Sequence, residues 1–313
     1  MSGGLGDSSQ LVIPPEITTR VAEALGETNL DRAFAQVDII AGGCTHPSAR
    51  ICTRSGSRVF LKWGPTPGRG GFGVEAAGLA AISRTGGPRV PEVLAHEAGG
   101  PELRGWILLE FIESGLPTPR TPRLLGSGLA RLHRRLNESR PGWEEDGFIG
   151  SLAQSNGADQ ATWPEFWQKK RLQPQWALAE PYFDDETRLA WDRLIERIEP
   201  PLAVWEEDGL SLVHGDLWSG NVLTGWAGEP VLVDPAGYRG HREVDLAMME
   251  LFGGFNSGVM EQYQLEAPLV RGYKESRRDL YQLYPLLVHV NLFGTGYVAR
   301  VRDRVQRLLK KLT

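Results

Sequence analysis

Cysteine is almost missing from this 313-residue chain: Cys44 and Cys52 are the only two, too few for a disulfide framework. A reducing cytoplasm is the expected setting, with no structural disulfide, although the symmetric placement of the two about Ser48 could set them facing each other across a hairpin. No stretch approaches the roughly 20 apolar residues of a membrane span. The opening MSGGLGDSSQ lacks the basic and apolar regions of a signal peptide. An excess of positive charge is lacking as well. The formal net charge of -5 argues against broad nucleic-acid binding, which leaves a basic footprint. Lysine is scarce too, with Lys62 the only one before Lys169, so the chain uses arginine wherever any cation will serve. A lone lysine in an apolar strand therefore points to a need for a compact ammonium at that place.

What remains is an ordinary globular composition, 41% hydrophobic and 23% charged, in a chain long enough for two lobes. No repeat is visible. A helix is predicted over 15–25, then short strands over 35–40, 49–53 and 58–63, a helix over 73–83, and strands over 92–96 and 105–111. The Pro-rich segment 114–122 reads as a linker. Thr121-Pro122 then reads as a helix start, with Leu125, Leu129, Leu132 and Leu136 on one apolar face. Beyond it the pattern is mainly helical, with strands returning at 211–213, 222–224 and 231–233. The fold class expected is α+β, with a small antiparallel-sheet N-lobe over 1–112, a hinge over 113–122 and a larger helical C-lobe over 123–313.

The segment SLVHGDLWSGNVLTGWAGEPVLVDP carries the chemistry. A hairpin with Val222 opposite Val233 and Thr224 opposite Val231 would set Asn221 against Asp234. Two oxygen-bearing side chains so placed can share a magnesium ion whose remaining ligands are phosphate and water. Asp216 precedes Asn221 by five positions, the spacing of a kinase catalytic loop in which Asp positions the attacking hydroxyl and Asn binds metal. A turn rich in Asp, Asn and Gly is the plain alternative for Asp216 alone, but not for the three residues together. His214 follows an apolar strand and is read as an orienting group for this loop.

Lys62, in the apolar run VFLKW, needs a partner or a route to water. Glu75 offers the partner, because Glu75, Leu79 and Ile82 fall at i, i+4 and i+7 on one helix face. Such a Lys–Glu pair positions ATP phosphates in kinases. Gly42-Gly43 could bring backbone close to phosphates. A second run, Gly68 to Gly73, matches the G-x-G-x-x-G pattern of dinucleotide sites, but Pro65 and Pro67 break the tight strand-to-helix turn that such sites need.

HGDLWSGN followed by VDPAGYRGHREVDLAMMELFGGF resembles the fructosamine kinase (ketosamine-3-kinase) family, within the aminoglycoside phosphotransferase and protein-kinase-like group. The resemblance runs from Gly42-Gly43-Cys44 through LLEFIE to LYPLLVHVNLFG. It implies Asp216 as catalytic base, Asn221 and Asp234 as magnesium ligands, and Lys62, held by Glu75, on the phosphates of ATP. Gly42 and Gly43 would lie over the nucleotide, and the backbone of Glu110, Phe111 and Ile112 would receive adenine. Trp218 and His289 are the acceptor contacts expected. The segment Thr45-His46-Pro47 departs from the pattern, and Pro47 removes a backbone donor.

The function expected is ATP- and Mg2+-dependent phosphorylation of a sugar hydroxyl on a free or protein-bound ketosamine, leading to deglycation. A monomer is expected, with a dimer left open, and no nucleic-acid or membrane partner. The alternatives are a kinase of an aminoglycoside, choline or another small alcohol, an NAD-dependent dehydrogenase using the Gly68 run, and a silent nucleotide-binding module. An acidic acceptor wall would mark a polycationic antibiotic as substrate, and an aromatic wall a sugar adduct.

Overall fold

The computed structural model describes residues 13–26, 34–40, 46–67, 70–137, 140–157 and 159–312. Five strands alternate with two helices in the first third: α1 (Pro15–Ala24), β1 (Phe34–Ile40), β2 (Ser48–Thr53), β3 (Arg58–Gly64), α2 (Gly71–Arg84), β4 (Val93–Glu97) and β5 (Gly105–Glu110). They form one antiparallel sheet in the order β1-β2-β3-β5-β4. The period-2 alternation of strand side chains sorts its two faces. Val59, Leu61, Trp63, Trp106 and Leu108 pack with Ile17 and Val21 of α1. Ile107, Leu109 and Phe60 turn the other way, onto Phe72, Ala76 and Leu79 of α2. Lys62 shares that second face, and the lone lysine is thereby aimed at the helix carrying Glu75.

The remainder is mainly helical. It contains α3 (Thr121–Leu132), a helical run α4 (163–179), α5 (Asp185–Ile195), α6 (Glu243–Phe252), α7 (Ser257–Glu266), α8 (Leu283–Phe293) and α9 (Val298–Lys311). Three small hairpin-like pairs are set among them. Their strands are β6 (Gly147–Ile149), β7 (Leu152–Gln154), β8 (Ser211–Val213), β9 (Val222–Thr224), β10 (Pro230–Leu232) and β11 (Tyr238–Gly240), paired β6 with β7, β8 with β11 and β9 with β10. The large core is aromatic, built on Trp163, Phe166, Trp167, Tyr281 and Tyr284 under α8 and α9. A second core joins Leu125, Leu129 and Leu132 of α3 to Val259 and Tyr263 of α7. The chain is thus a two-lobed α+β protein of the protein-kinase-like kind. Among the described residues no helix is long and apolar enough to cross a membrane.

Several expectations are corrected. The β9–β10 hairpin closes one residue tighter than symmetry about its glycines implied: Thr224 pairs with Pro230 and Val222 with Leu232. Gly225 N–H reaches the Glu229 carbonyl and the Glu229 carboxylate folds back on the Ala227 N–H, making a five-residue turn. Asn221 consequently stands opposite Val233 rather than Asp234, and the Val233 N–H donates to the Asn221 carbonyl at 3.0 Å. Leu136 is not on the α3 face. The helix ends at His133, and the Leu136 N–H bonds the Leu210 carbonyl at 2.8 Å instead. Cys52 opposes Gln36 and Arg58 in the sheet; Cys44, and with it the expected facing of the two cysteines, lies outside the described residues. Strands β6, β7 and β11 are absent from the sequence reading. Every named strand pair is antiparallel, so the Gly68–Gly73 pattern has no parallel βαβ unit around it.

Gly126 shows how closely α3 and α7 approach. A Cβ built there would lie 2.4 Å from the Val259 carbonyl oxygen and 3.0 Å from the Tyr263 nitrogen. Gly126→Ala should therefore destabilise the protein by about 1–3 kcal/mol from overpacking. Helix propensity alone gives the opposite sign, a gain of about 1 kcal/mol. Urea unfolding decides between them, and a variant more stable than the parent would refute the close contact.

Candidate active site

A cavity of about 490 Å3 opens between the sheet lobe and the helical lobe. Lys62, Glu75, Asp216, Trp218, Asn221, Asp234 and His289, all singled out from the sequence, line it together. Gly42 and Gly43 lie outside the described residues. Glu110, Phe111 and Ile112 do not line this cavity but stand at the end of β5. There the Glu110 carboxylate takes Arg89, and Phe111 lies 5.7 Å from the Arg50 guanidinium. His214 sits behind the cavity, fully buried.

At the sheet-lobe end, Lys62 Nζ donates to Glu75 Oε1 at 2.9 Å and to Asp234 Oδ1 at 2.8 Å. Lys62 and Glu75 are buried, at 4% and 3% side-chain exposure, while Asp234 is 27% exposed. Burial alone would lower the pKa of the ammonium, but the charges of Asp234 and Glu75 outweigh it and hold the pKa above the ordinary lysine value. The pair needs a compact point charge that can meet two carboxylates from different elements, which a planar guanidinium does less well.

The end that carries Asp216 is held by buried polar contacts. Asp245, at the buried start of α6, accepts the backbone N–H of His214 at 2.7 Å and of Gly215 at 2.9 Å, and bonds His133 Nε2 at 3.0 Å. His214 donates from Nε2 to the Val233 carbonyl at 3.0 Å, leaving Nδ1 to accept the Asp216 N–H at 3.3 Å. Burial lowers the pKa of His214, in keeping with this neutral tautomer. Gly215, at φ +81°, passes under Ala236, whose carbonyl oxygen would be 2.1 Å from any Cβ. Asp216 is thus set back in the cavity. Burial raises its carboxyl to about 7, and Asp234 and Asp245 add to the rise against the opposing Asn221 hydrogen bond. Asn221 Nδ2 donates to the Asp216 backbone oxygen at 2.9 Å and to its Oδ2 at 3.0 Å. Asp234 has φ +56°, and it is the one non-glycine positive φ among the described residues. Strained backbone of this kind gathers at functional sites.

The residues fit a hard divalent cation. Among the described residues no cluster of three or more His, Cys, Asp and Glu side chains could hold a metal alone. Asn221, however, commits its NH2 group to Asp216 and so leaves Oδ1 for a cation, with the Asp234 carboxylate lining the same cavity. Two protein oxygens, with phosphate oxygens and water for the rest, suit magnesium.

The opposite wall is aromatic. His289 lies 4.6 Å from Phe252, 5.3 Å from Phe293 and 4.9 Å from Tyr297, centroid to centroid. Its Nδ1 donates to the Pro285 carbonyl at 2.7 Å, and burial keeps the ring neutral, so Nε2 is left as an acceptor. Trp218 lines the cavity and also packs against the large core, with Gly220 under its indole. Sequence reasoning missed Phe252, Phe293 and Tyr297, although His289, Phe293 and Tyr297 recur every four residues. It also missed His46. That ring bonds the Pro65 carbonyl at 3.0 Å, packs edge-on against Phe72 and Phe148, and lines the cavity from the unusual segment before Pro47.

Comparison with known proteins agrees with this geometry. The family profile described as fructosamine kinase matches residues 17–311. A probable ketoamine kinase of Enterococcus faecium is 36% identical, over 84% of this chain and 91% of its own length. A chloroplastic protein-ribulosamine 3-kinase of Arabidopsis thaliana is also 36% identical, over 89% of this chain and 84% of its own. The crystal structure of a putative fructosamine-3-kinase from Thermobifida fusca superposes with a TM-score of 0.81 at 31% identity, covering 94% of this chain and 98% of that one. With its lysine, its carboxylates and its catalytic loop meeting in one cavity, the chain belongs to the fructosamine kinase family.

Proposed function

We propose that this protein uses ATP and Mg2+ to phosphorylate the 3-hydroxyl of a ketosamine, the sugar–amine adduct of glycation, and so starts its removal. The observation that carries the reading is one cavity with Asp216 and the Lys62–Glu75–Asp234 group at one end and an aromatic wall at the other. Asp216 accepts the acceptor hydroxyl proton as that oxygen attacks the γ-phosphorus. The bond from phosphorus to the β–γ bridging oxygen breaks, and ADP leaves. Lys62, steadied by Glu75, contacts phosphate oxygens. Asn221 and Asp234 hold magnesium, which neutralises phosphate charge. Gly42 and Gly43 cover the nucleotide, and the backbone of Glu110, Phe111 and Ile112 receives adenine. The lobes divide at residues 113–122. His214 and Asp245 act by positioning the loop.

Trp218 and His289 bind the sugar, the indole by its face and His289 Nε2 by accepting a hydroxyl proton. The carboxylates of the cavity are Glu75, Asp216 and Asp234, all at the catalytic end, so the acceptor wall is not the acidic surface that a polycationic antibiotic requires. The protein works as a cytoplasmic monomer, on a free or protein-bound adduct and without nucleic-acid or membrane partners.

The direct test is turnover of ATP by purified protein with ribulosamine, fructosamine and aminoglycoside acceptors, with and without magnesium. Magnesium-dependent phosphorylation of a ketosamine is expected; turnover with the aminoglycoside alone would reverse the assignment. Asp216→Asn should lower kcat by about 100-fold or more while ATP still binds. Near-parental turnover would remove Asp216 from the role of base. Trp218→Ala should raise the KM for ketosamine by about tenfold and leave the KM for ATP within about twofold. The indole also packs on the core, so some loss of Tm is expected; a fall in Tm with unchanged ketosamine KM would make Trp218 structural only.

A further inference from the structure

The aromatic wall ends on a cation. Arg300, in the first turn of α9, lies with its guanidinium carbon 5.7 Å from the centre of Phe252 and 5.9 Å from that of Tyr297. These are two of the three rings around His289. One N–H reaches the Leu251 carbonyl at 3.3 Å. Among the described residues Arg300 makes no ion pair, whereas Arg242, Arg277 and Arg304 are each held by a carboxylate. Arg300 is also one of the causes that lower the pKa of His289, after burial, so its charge is felt inside the cavity. It is exposed and keeps donors to spare.

We propose that Arg300, which backs Phe252 and Tyr297 without lining the cavity itself, selects ketosamines whose amine-derived part carries a carboxylate that reaches past these rings to pair with it. This rests on the ketosamine reading. In a ketosamine the reacting 3-hydroxyl and the amine lie on opposite sides of the keto carbon. With the hydroxyl at Asp216, the amine and its substituent extend away from the catalytic end, along the wall that closes on Arg300. The secondary amine is itself protonated and repelled by Arg300. A carboxylate on its substituent reverses that sign and matches the guanidinium fork in a two-point contact. Stacking on two rings holds the fork in place beforehand, so little side-chain freedom is lost on binding.

The carboxylate has two sources: the α-carboxylate of a free amino-acid adduct, or an acidic residue beside a glycated lysine in a peptide. The test compares kcat/KM for the ribulosamine of a free amino acid with that of its amide. In parallel it compares ribulosylated-lysine peptides with Glu or Gln as the neighbouring residue. At low ionic strength the acid of at least one pair should be preferred about five- to tenfold. The preference should shrink with added salt. Arg300→Gln should bring the acid down to the value of its neutral partner, and Arg300→Lys should keep only part of the preference. A preference confined to one pair identifies the source. Equal rates within each pair for the parent protein, or a preference that survives in Arg300→Gln, would overturn the role of Arg300 while phosphorylation of the neutral ketosamines still upholds the ketosamine reading. Failure to phosphorylate any of the four compounds would overturn both.

Discussion

The rest of the structure is arranged around one ammonium group. Lys62 comes from a sheet strand, Glu75 from the helix covering that sheet, and Asp234 from the far lobe, 172 positions along the chain. A buried ion pair is poor evidence of stability, because desolvating the charges offsets much of their attraction. What the triple contact provides is register. Strand β3 must present its polar residue on the α2 face, α2 must turn Glu75 inward, and the β9–β10 hairpin must deliver Asp234 to within 2.8 Å. A slip of one residue in β3 would send Lys62 to the α1 face and leave Glu75 buried without its counter-charge.

The far lobe meets that demand through a second buried charge. Asp245 ties the backbone before Asp216 to α6, and through His133 to Tyr263 on α7. Burial would raise the Asp245 carboxyl, but the hydrogen bonds it accepts, from His133 and from the His214 backbone N–H, hold it below the usual carboxylate range. Tyr263 in turn meets Arg242, which Asp208 holds through two hydrogen bonds, and Asp208 also bonds His241. The loop that carries Asp216 therefore hangs on a hydrogen-bonded chain running into the helical core. Its polar members are satisfied by one another, the condition under which a buried network rigidifies a fold instead of weakening it.

How much of this could be read from the sequence depended on the range of the signal. The sheet strands and α2 were legible because period-2 and i, i+4 patterns are local, and the inward Glu75 followed from its own helix face. The grouping of Asp216, Asn221 and Asp234 was legible from the spacing of residues within one hairpin. The hairpin register was not, because it depends on how the Glu229 carboxylate folds into the turn. Leu136 was misplaced for a similar reason: His133 leaves the helix to meet Asp245, a contact between residues 112 positions apart. Asp245 itself looks like any acidic residue in the first turn of a helix until the loop it supports is seen.

The acceptor wall shows why its aromatic residues were the hardest to find. In a continuous helix Tyr297 would stand about 12 Å along the axis from His289. The rings are instead 4.9 Å apart. Helix α8 ends at Phe293, Gly294 follows with φ +77°, and the chain turns through Gly294–Tyr297 before α9 begins. That break folds Tyr297 back onto His289 and brings Arg300 over the same rings. The aromatic end of the cavity is therefore shaped by the helix junction between α8 and α9. The Lys62 end is constrained by buried charges that must all agree, whereas the aromatic end is constrained by the packing of a few rings.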